Sequence, residues 1–389
     1  MIKFSKLSRI ISMCLIIIMI SSSVAFADVN VNEYIKGAIL GDVETGEILY
    51  EYNVDEQLAI ASISKIMTYL VLMDAVYSNE VSLDDDVVIS EKAAATEGSR
   101  FGLVKGESVK LSMLIKGMLI VSGNDCAVAI AEHVAGSEEN FVKKMNEKSA
   151  ELGLMSANFV NPNGLPVNGV EDNQNHMSTG DLFKLARAIL QKYPEVLEVT
   201  KQKELVVPER NFQKEATNPV LKIMTTVDGL KTGYTDKSGL CLVTTSPVTN
   251  TEGEDFRLIA VIMGAQSHED RADKTKALLE YGMKNFNYQK ITSAENAVET
   301  VYISSSKQGE VNVYPSADFN KVVKNGDVVK TEIIYNDEVK SPLSKGEKIG
   351  TIKIFVNDKE IGQVDAVVNE DIKKANIFVR MYRFIKSIF

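Results

Sequence analysis

The chain has 389 residues, of which 45% are hydrophobic and 25% charged, and its formal net charge is -10. That is ordinary globular composition at a length that suits about two domains. It excludes a chain that is disordered or fibrous throughout, and the acidic balance argues against a broad nucleic-acid-binding surface.

The first segment is MIKFSKLSRIISMCLIIIMISSSVAFADVN. Lys3, Lys6 and Arg9 precede an apolar run from Ile10 to Ile20, and Ala25-Phe26-Ala27 has the small-x-small pattern of a cleavage site. The segment reads as a secretory signal peptide over 1–27, with an exported chain beginning at Asp28; the alternative is an uncleaved membrane anchor. Met13 before Cys14 does not fit a lipoprotein. Cys126 and Cys241 then remain, either as a disulfide, which an extracytoplasmic location permits, or as two buried thiols. His133, His176 and His268 lie far apart, with no HExxH and no paired-cysteine spacing, so neither a metal site nor a cofactor is expected.

KGAILGDVETGEILYEYN reads as two strands around a turn near Glu44 to Gly46. In IASISKIMTYLVLMDAV the apolar residues Ile63, Ile66, Met67, Leu70, Val71 and Met73 recur at helical spacing, with Ser62 at the start. Leu111 to Gly136 predicts two helices separated by VSGND, and Phe141 to Lys192 predicts further helices around the loop NPNGLPVNG. After DGLKTGYTDKSG, the runs LCLVTTSPV and FRLIAVIMGA predict adjacent strands, and Asp273 to Tyr288 a closing helix. From Lys290 to Val368 the texture changes to short alternating strands with polar turns (AVETVYI, EVNVYP, VVKTEIIY, KIGTIKIFV, IGQVDAVV), which predicts a separate small all-β domain.

Three short motifs carry candidate chemistry. Ser62-Ile63-Ser64-Lys65 puts a hydroxyl and an amine at i and i+3 on one helix face, where a lysine of lowered pKa can serve as base to a serine nucleophile. At the helix start Ser62 also meets free backbone N–H groups. S-x-x-K alone is weak, since about one or two copies arise by chance in such a chain, and Ser304 to Lys307 is a second. Ser122-Gly123-Asn124 lies between two apolar helices, whereas a second S-x-N, Ser156 to Asn158, lies in a polar stretch. Lys231-Thr232-Gly233 is the single K-T-G, and DGLKTGYTDKSG taken alone is equally a surface hairpin.

Order and context bind the three together. ASISKIMT, LIVSGNDCAVAIAEHVAGSEENFV, NPNGLP and DGLKTGYTDKSGLCLV resemble the low-molecular-mass penicillin-binding proteins, which are serine-type D-alanyl-D-alanine carboxypeptidases. The resemblance implies a mixed α/β fold: a penicillin-binding domain over 28–289, with an antiparallel sheet flanked by helices plus an all-helical lobe, then a small β-sandwich domain over 290–368. It implies that Ser62, Lys65 and Ser122 are catalytic, with Ser62 as nucleophile and Ser122 relaying a proton. It implies that Asn124, Lys231, Thr232, Gly233, Tyr234 and Arg271 bind substrate. Asn124 would hold the substrate amide and Gly233 would admit its backbone, while Thr232 and Arg271 would read the terminal carboxylate. The backbone N–H groups of Ser62 and Tyr234 would form the oxyanion hole. For Arg271, in SHEDRADK, a solvated helix arginine is the alternative. The partners implied are the peptidoglycan stem pentapeptide and β-lactam antibiotics as covalent inhibitors.

The chain departs from the pattern at Tyr234, where the family often has histidine. It also lacks an E-x-x-L-N with a deacylating glutamate, so slow hydrolysis of a penicilloyl ester is expected. A D,D-endopeptidase with the same site is the alternative enzyme, and a β-lactamase or a non-catalytic wall-binding module are the others. Finally, DIKKANIFVRMYRFIKSIF places Ile377, Phe378, Met381, Tyr382, Phe384, Ile385, Ile388 and Phe389 on one helical face and Lys373, Arg380, Arg383 and Lys386 mostly on the other. The segment 369–389 is too polar to span a bilayer and reads as an amphipathic helix anchored on the outer face of the cytoplasmic membrane, the alternative being a helix docked on the protein's own core.

Overall fold

The structure, a computed structural model, describes residues 29–249 and 255–388. The expected signal segment 1–27 lies outside the described residues. Strands Gly37–Asp42 (β1) and Ile48–Tyr52 (β2) form the first hairpin, and Lys65–Tyr77 (α1) follows. The helical lobe contains Leu111–Ile120 (α2), Asn124–Ala135 (α3), Glu138–Glu151 (α4) and Thr179–Lys192 (α5). Three long strands complete the main sheet: Gly229–Thr235 (β3), Gly239–Thr249 (β4) and Asp255–Ala265 (β5). The order is β2-β1-β5-β4-β3, antiparallel throughout.

Strand periodicity decides what each face of this sheet buries. Ile39, Val243 and Val261 enter the core shared with α1 and the helical lobe. Their neighbours Leu40, Leu242, Ala260 and Ile262 enter a second core with Leu278 and Leu279 of the helix His268–Asn285 (α6). Burial on both sides explains the near-continuous apolar runs of β4 and β5. Each buried valine, leucine or isoleucine side chain contributes about 1.5–3 kcal/mol on leaving water. Helix α1 is apolar on every side, and all its residues from Lys65 to Met73 are buried between sheet and lobe.

Helix α6 starts and ends earlier than the sequence reading of 273–288. Ser267 caps it, with its Oγ accepting from the Asp270 N–H at 3.0 Å, and Glu269 and Asp270 fill the first turn. At the other end Phe286–Thr292 (β6) is extended and pairs with Phe319–Lys324. Its aromatic and β-branched residues favour that state, and the strand crosses the expected domain boundary at 289/290. The small β-sandwich domain contains Glu299–Tyr302 (β7), Glu310–Pro315 (β8), Phe319–Lys324 (β9), Val329–Tyr335 (β10), Lys348–Val356 (β11) and Lys359–Val368 (β12). Its five-stranded sheet runs β7-β8-β12-β11-β10 over a core that includes Val313, Ile352 and Val368.

Ile377–Ile388 forms a last helix (α7). Arg383 donates to the carbonyls of Ser306 (2.6 Å), Lys307 (3.1 Å) and Ser304 (3.2 Å), so the helix meets the small domain through a basic residue. Ile377, Phe378, Met381 and Tyr382 stay exposed, the first two at 74% each. No helix among the described residues is long and apolar enough to cross a membrane.

Candidate active site

Ser62 stands in a 3₁₀ turn, Ala61–Ser64, that leads directly into α1. With three residues per turn, positions i and i+3 eclipse. Lys65 Nζ accordingly lies 2.8 Å from Ser62 Oγ. Ala61 before the serine has φ 46°, a left-handed conformation that costs a non-glycine residue about 1–3 kcal/mol and is typical of functional sites. The turn is wedged from two sides. Gly233 of β3 lies against it, and a Cβ there would meet the Ile60 carbonyl at 2.8 Å and Ala61 Cβ at 3.2 Å. The glycine expected to admit the substrate backbone is therefore needed first for packing the strand on the nucleophile turn. Gly164, at φ 89°, has the same relation to the Ala61 carbonyl from the other side.

Lys65 is fully buried, and three oxygens surround its amine: Ser62 Oγ, Asn124 Oδ1 at 2.7 Å and the Asn163 carbonyl at 2.6 Å. Burial, and next the charge of Lys231, hold its pKa well below the ordinary lysine value. Ser122, from the loop between α2 and α3, has φ 63° and receives a hydrogen bond from Lys231 Nζ at 2.9 Å. Burial, with Arg271 next, brings Lys231 down to about 7. Thr232 Oγ1 donates to Thr217 Oγ1 at 2.7 Å. A cleft of about 650 Å³ is lined by Ser62, Ser122, Thr232, Tyr234 and Arg271, among others. S-x-x-K, S-x-N and K-T-G thus meet at one place, between sheet and helical lobe. The other S-x-x-K does not join them, because Ser304 and Lys307 lie exposed on the small domain. Ser156 of the other S-x-N donates to Asp181 in a structural network.

Asn124 and Arg271 have surroundings that the sequence did not disclose. The Asn124 side chain gives its carbonyl to Lys65 and one amide hydrogen to the Glu97 carbonyl at 2.8 Å, so it orients the lysine and keeps one amide hydrogen for a ligand. Arg271 is no solvated helix arginine: it is buried, and its Nε makes no hydrogen bond. Tyr234 is exposed at the cleft, its hydroxyl donating to Asp236 at 2.8 Å. Cys126 and Cys241 are both buried and free. Sequence reasoning missed the Asn163 carbonyl and the Thr217 hydroxyl. A backbone carbonyl leaves no side-chain signature, although the N-P-N-G turn that aims it was legible: Asn161 Oδ1 accepts from the Gly164 N–H at 2.6 Å.

A hydroxyl, a buried amine with a depressed pKa and a cationic cleft end are the equipment of a serine acyl-transfer enzyme whose base is a lysine. Comparison with known proteins specifies the class. Residues 27–267 match the family described as D-alanyl-D-alanine carboxypeptidase, and residues 286–374 match the penicillin-binding protein 5 C-terminal domain. The D-alanyl-D-alanine carboxypeptidase DacF of Bacillus subtilis is 33% identical over 90% of this chain and 88% of its own. Penicillin-binding protein 5 from Haemophilus influenzae has a similar structure, with TM-score 0.75 and 28% identity, over 90% of this chain and all of that one. Penicillin-binding protein D2 from Listeria monocytogenes, solved in its ampicillin-bound form, is similar at TM-score 0.58 and 31% identity over 66% of this chain and all of that one. The chain belongs to the D-alanyl-D-alanine carboxypeptidase family. The activity that membership carries is that of a serine D-alanyl-D-alanine carboxypeptidase acting on the cell wall.

Proposed function

We infer that the chain removes the terminal D-alanine of peptidoglycan stem pentapeptides through an acyl-enzyme at Ser62. One observation carries this reading: the surroundings of Lys65. A neutral amine has two N–H donors and one lone pair. Asn124 Oδ1 and the Asn163 carbonyl accept the two hydrogens, which leaves the lone pair for the Ser62 hydroxyl. Ser62 Oγ attacks the penultimate D-alanine carbonyl as its proton passes to Lys65, and the Ser62 and Tyr234 backbone N–H groups hold the oxyanion. Ser122, bridged to Lys231, returns a proton to the leaving amine. Water then hydrolyses the ester by the reverse path. β3 is an edge strand, so its outer backbone groups are available to pair with an extended peptide. The same serine is acylated by β-lactams.

Thr232, Lys231 and Arg271 read the free carboxylate. Incubation with a diacetyl-Lys-D-Ala-D-Ala peptide should release D-alanine, and the C-terminal amide of that peptide should lose most of its kcat/KM. Arg271→Ala should narrow the gap between acid and amide. Equal use of both by the parent enzyme would refute the carboxylate reading.

On this reading the chain comprises a signal peptide over 1–27, the chemistry-bearing unit as far as Asn285, a small domain from Phe286 and an anchor helix from Ile377. The chain is exported and held at the outer membrane face by α7, whose exposed Ile377, Phe378, Met381 and Tyr382 form an apolar face while Arg383 turns to the protein. Expressed in cells, the mature chain should begin at Asp28 and sediment with membranes. Without residues 377–389, which contain the helix, it should become soluble with unchanged activity on the small peptide, the cut being placed there because Ile372 and Ala375 are buried in the small domain. Loss of activity or of folding on truncation would assign the helix to the core instead.

A further inference from the structure

Arg271 is a buried cation without an acidic hydrogen-bond partner among the described residues. It is 6% exposed, its Nε has no partner, and among the described residues its guanidinium has one side-chain hydrogen-bond partner, which is not an acid. A long cationic side chain buried beside a cleft needs something to hold it while its charge stays available. The partner is His268, one turn earlier on α6 and also lining the cleft, with Nδ1 3.3 Å from Arg271 Nη2. Arginine carries no acceptor, so Nδ1 must present its lone pair and the ring proton sits on Nε2. The Ser267 cap fixes where this first turn begins.

We propose that His268 is a positioning residue for recognition of the substrate's free carboxylate: its neutral imidazole holds the Arg271 guanidinium at the carboxylate end of the cleft. This rests on the reading that Arg271 meets that carboxylate. The chemistry of the residue matters. A carboxylate at 268 would hold Arg271 more firmly, but it would also neutralise it and compete with the substrate's own carboxylate. An apolar residue would leave the guanidinium unheld. An imidazole accepts a hydrogen bond and cancels no charge.

The test uses the mature chain, with release of D-alanine or D-alaninamide measured on diacetyl-Lys-D-Ala-D-Ala and its C-terminal amide. His268→Leu should raise KM for the acid about tenfold with kcat within about twofold, because the contact binds ground and transition states alike. The amide should be unaffected. His268→Asn, whose Oδ1 falls near the place of Nδ1, should restore KM. His268→Asp should be at least as poor as leucine on the acid, although an ion pair would satisfy any purely structural need. Adding His268→Leu to Arg271→Ala should change nothing further. Thermal unfolding checks each fold, and if the leucine variant does not fold, the asparagine and aspartate variants decide. A leucine variant with parental KM, an aspartate variant with parental KM, or equal losses on acid and amide would each overturn the proposal. A parent enzyme that does not prefer the acid would instead refute the underlying assignment of Arg271.

Discussion

The Ser62→Ala enzyme is expected to release no measurable D-alanine and to form no covalent adduct with labelled penicillin. Removing the nucleophile of a serine acyl-transfer enzyme lowers kcat by about 10⁶-fold, since the remaining donors can only assist attack by water. The fold should survive. Ser62 is half-buried, and its hydroxyl has one short contact, to Lys65 at 2.8 Å, so the deletion costs about 1 kcal/mol. Binding of substrate should persist too, because Thr232, Lys231 and Arg271 are untouched. The assay is gel fluorography of the penicillin adduct beside D-alanine release. Undiminished labelling of the alanine variant would end the assignment and direct attention to the other serine held by a lysine in the cleft, Ser122.

What the sequence disclosed and what it withheld divide along a physical line. The long elements were legible from what each buries: α2 and α3 as helical stripes, α1 as a helix apolar all round, β4 and β5 as apolar runs covered on both sides. The boundary at α6 was not. The apolar spacing from Asp273 onward hid a cap at Ser267, and Phe286 to Thr292 reads as either state until Phe319–Lys324 supplies a partner strand. β9 itself, FNKVVK, alternates too weakly to be seen alone. In the site, Ser62, Lys65, Ser122 and Lys231 were legible because their chemistry resides in side chains at fixed spacing. The Asn163 carbonyl and the crowding of Gly233 against Ile60 were not, because each depends on chain segments meeting in space, and the His268–Arg271 contact was hidden because the sequence reading began α6 at Asp273, after both residues. Gly233 is the instructive case. The motif marks the residue, but only packing tells which neighbour forbids its Cβ.

Replacing Lys65 by arginine should slow acylation by ~10²- to 10⁴-fold, the usual share of a general base. Arginine stays a cation where the acting enzyme needs a neutral amine: a guanidinium does not give up its proton and has no lone pair to offer Ser62. Lys65→Met, which keeps length and removes the nitrogen, should be as slow. The measurement is the second-order rate of penicillin acylation, which stops at the acyl-enzyme and excludes deacylation from the comparison. The pH dependence follows from the same geometry. Lys65 must be neutral to act, and burial together with Lys231 depresses its pKa, so the rate should rise as pH climbs through that depressed value and level off well below pH 10.5. Lys231 must keep its charge for the carboxylate, and its value of about 7 places a falling limb on kcat/KM of the free enzyme above neutrality. The two amines share one cleft, so the limbs belong to the pair. In Lys65→Arg the rising limb should vanish while the falling limb remains. Arginine at 65 with near-parental acylation, or a rising limb that persists without Lys65, would place the base elsewhere, and Lys231 acting through Ser122 would then be the group to test.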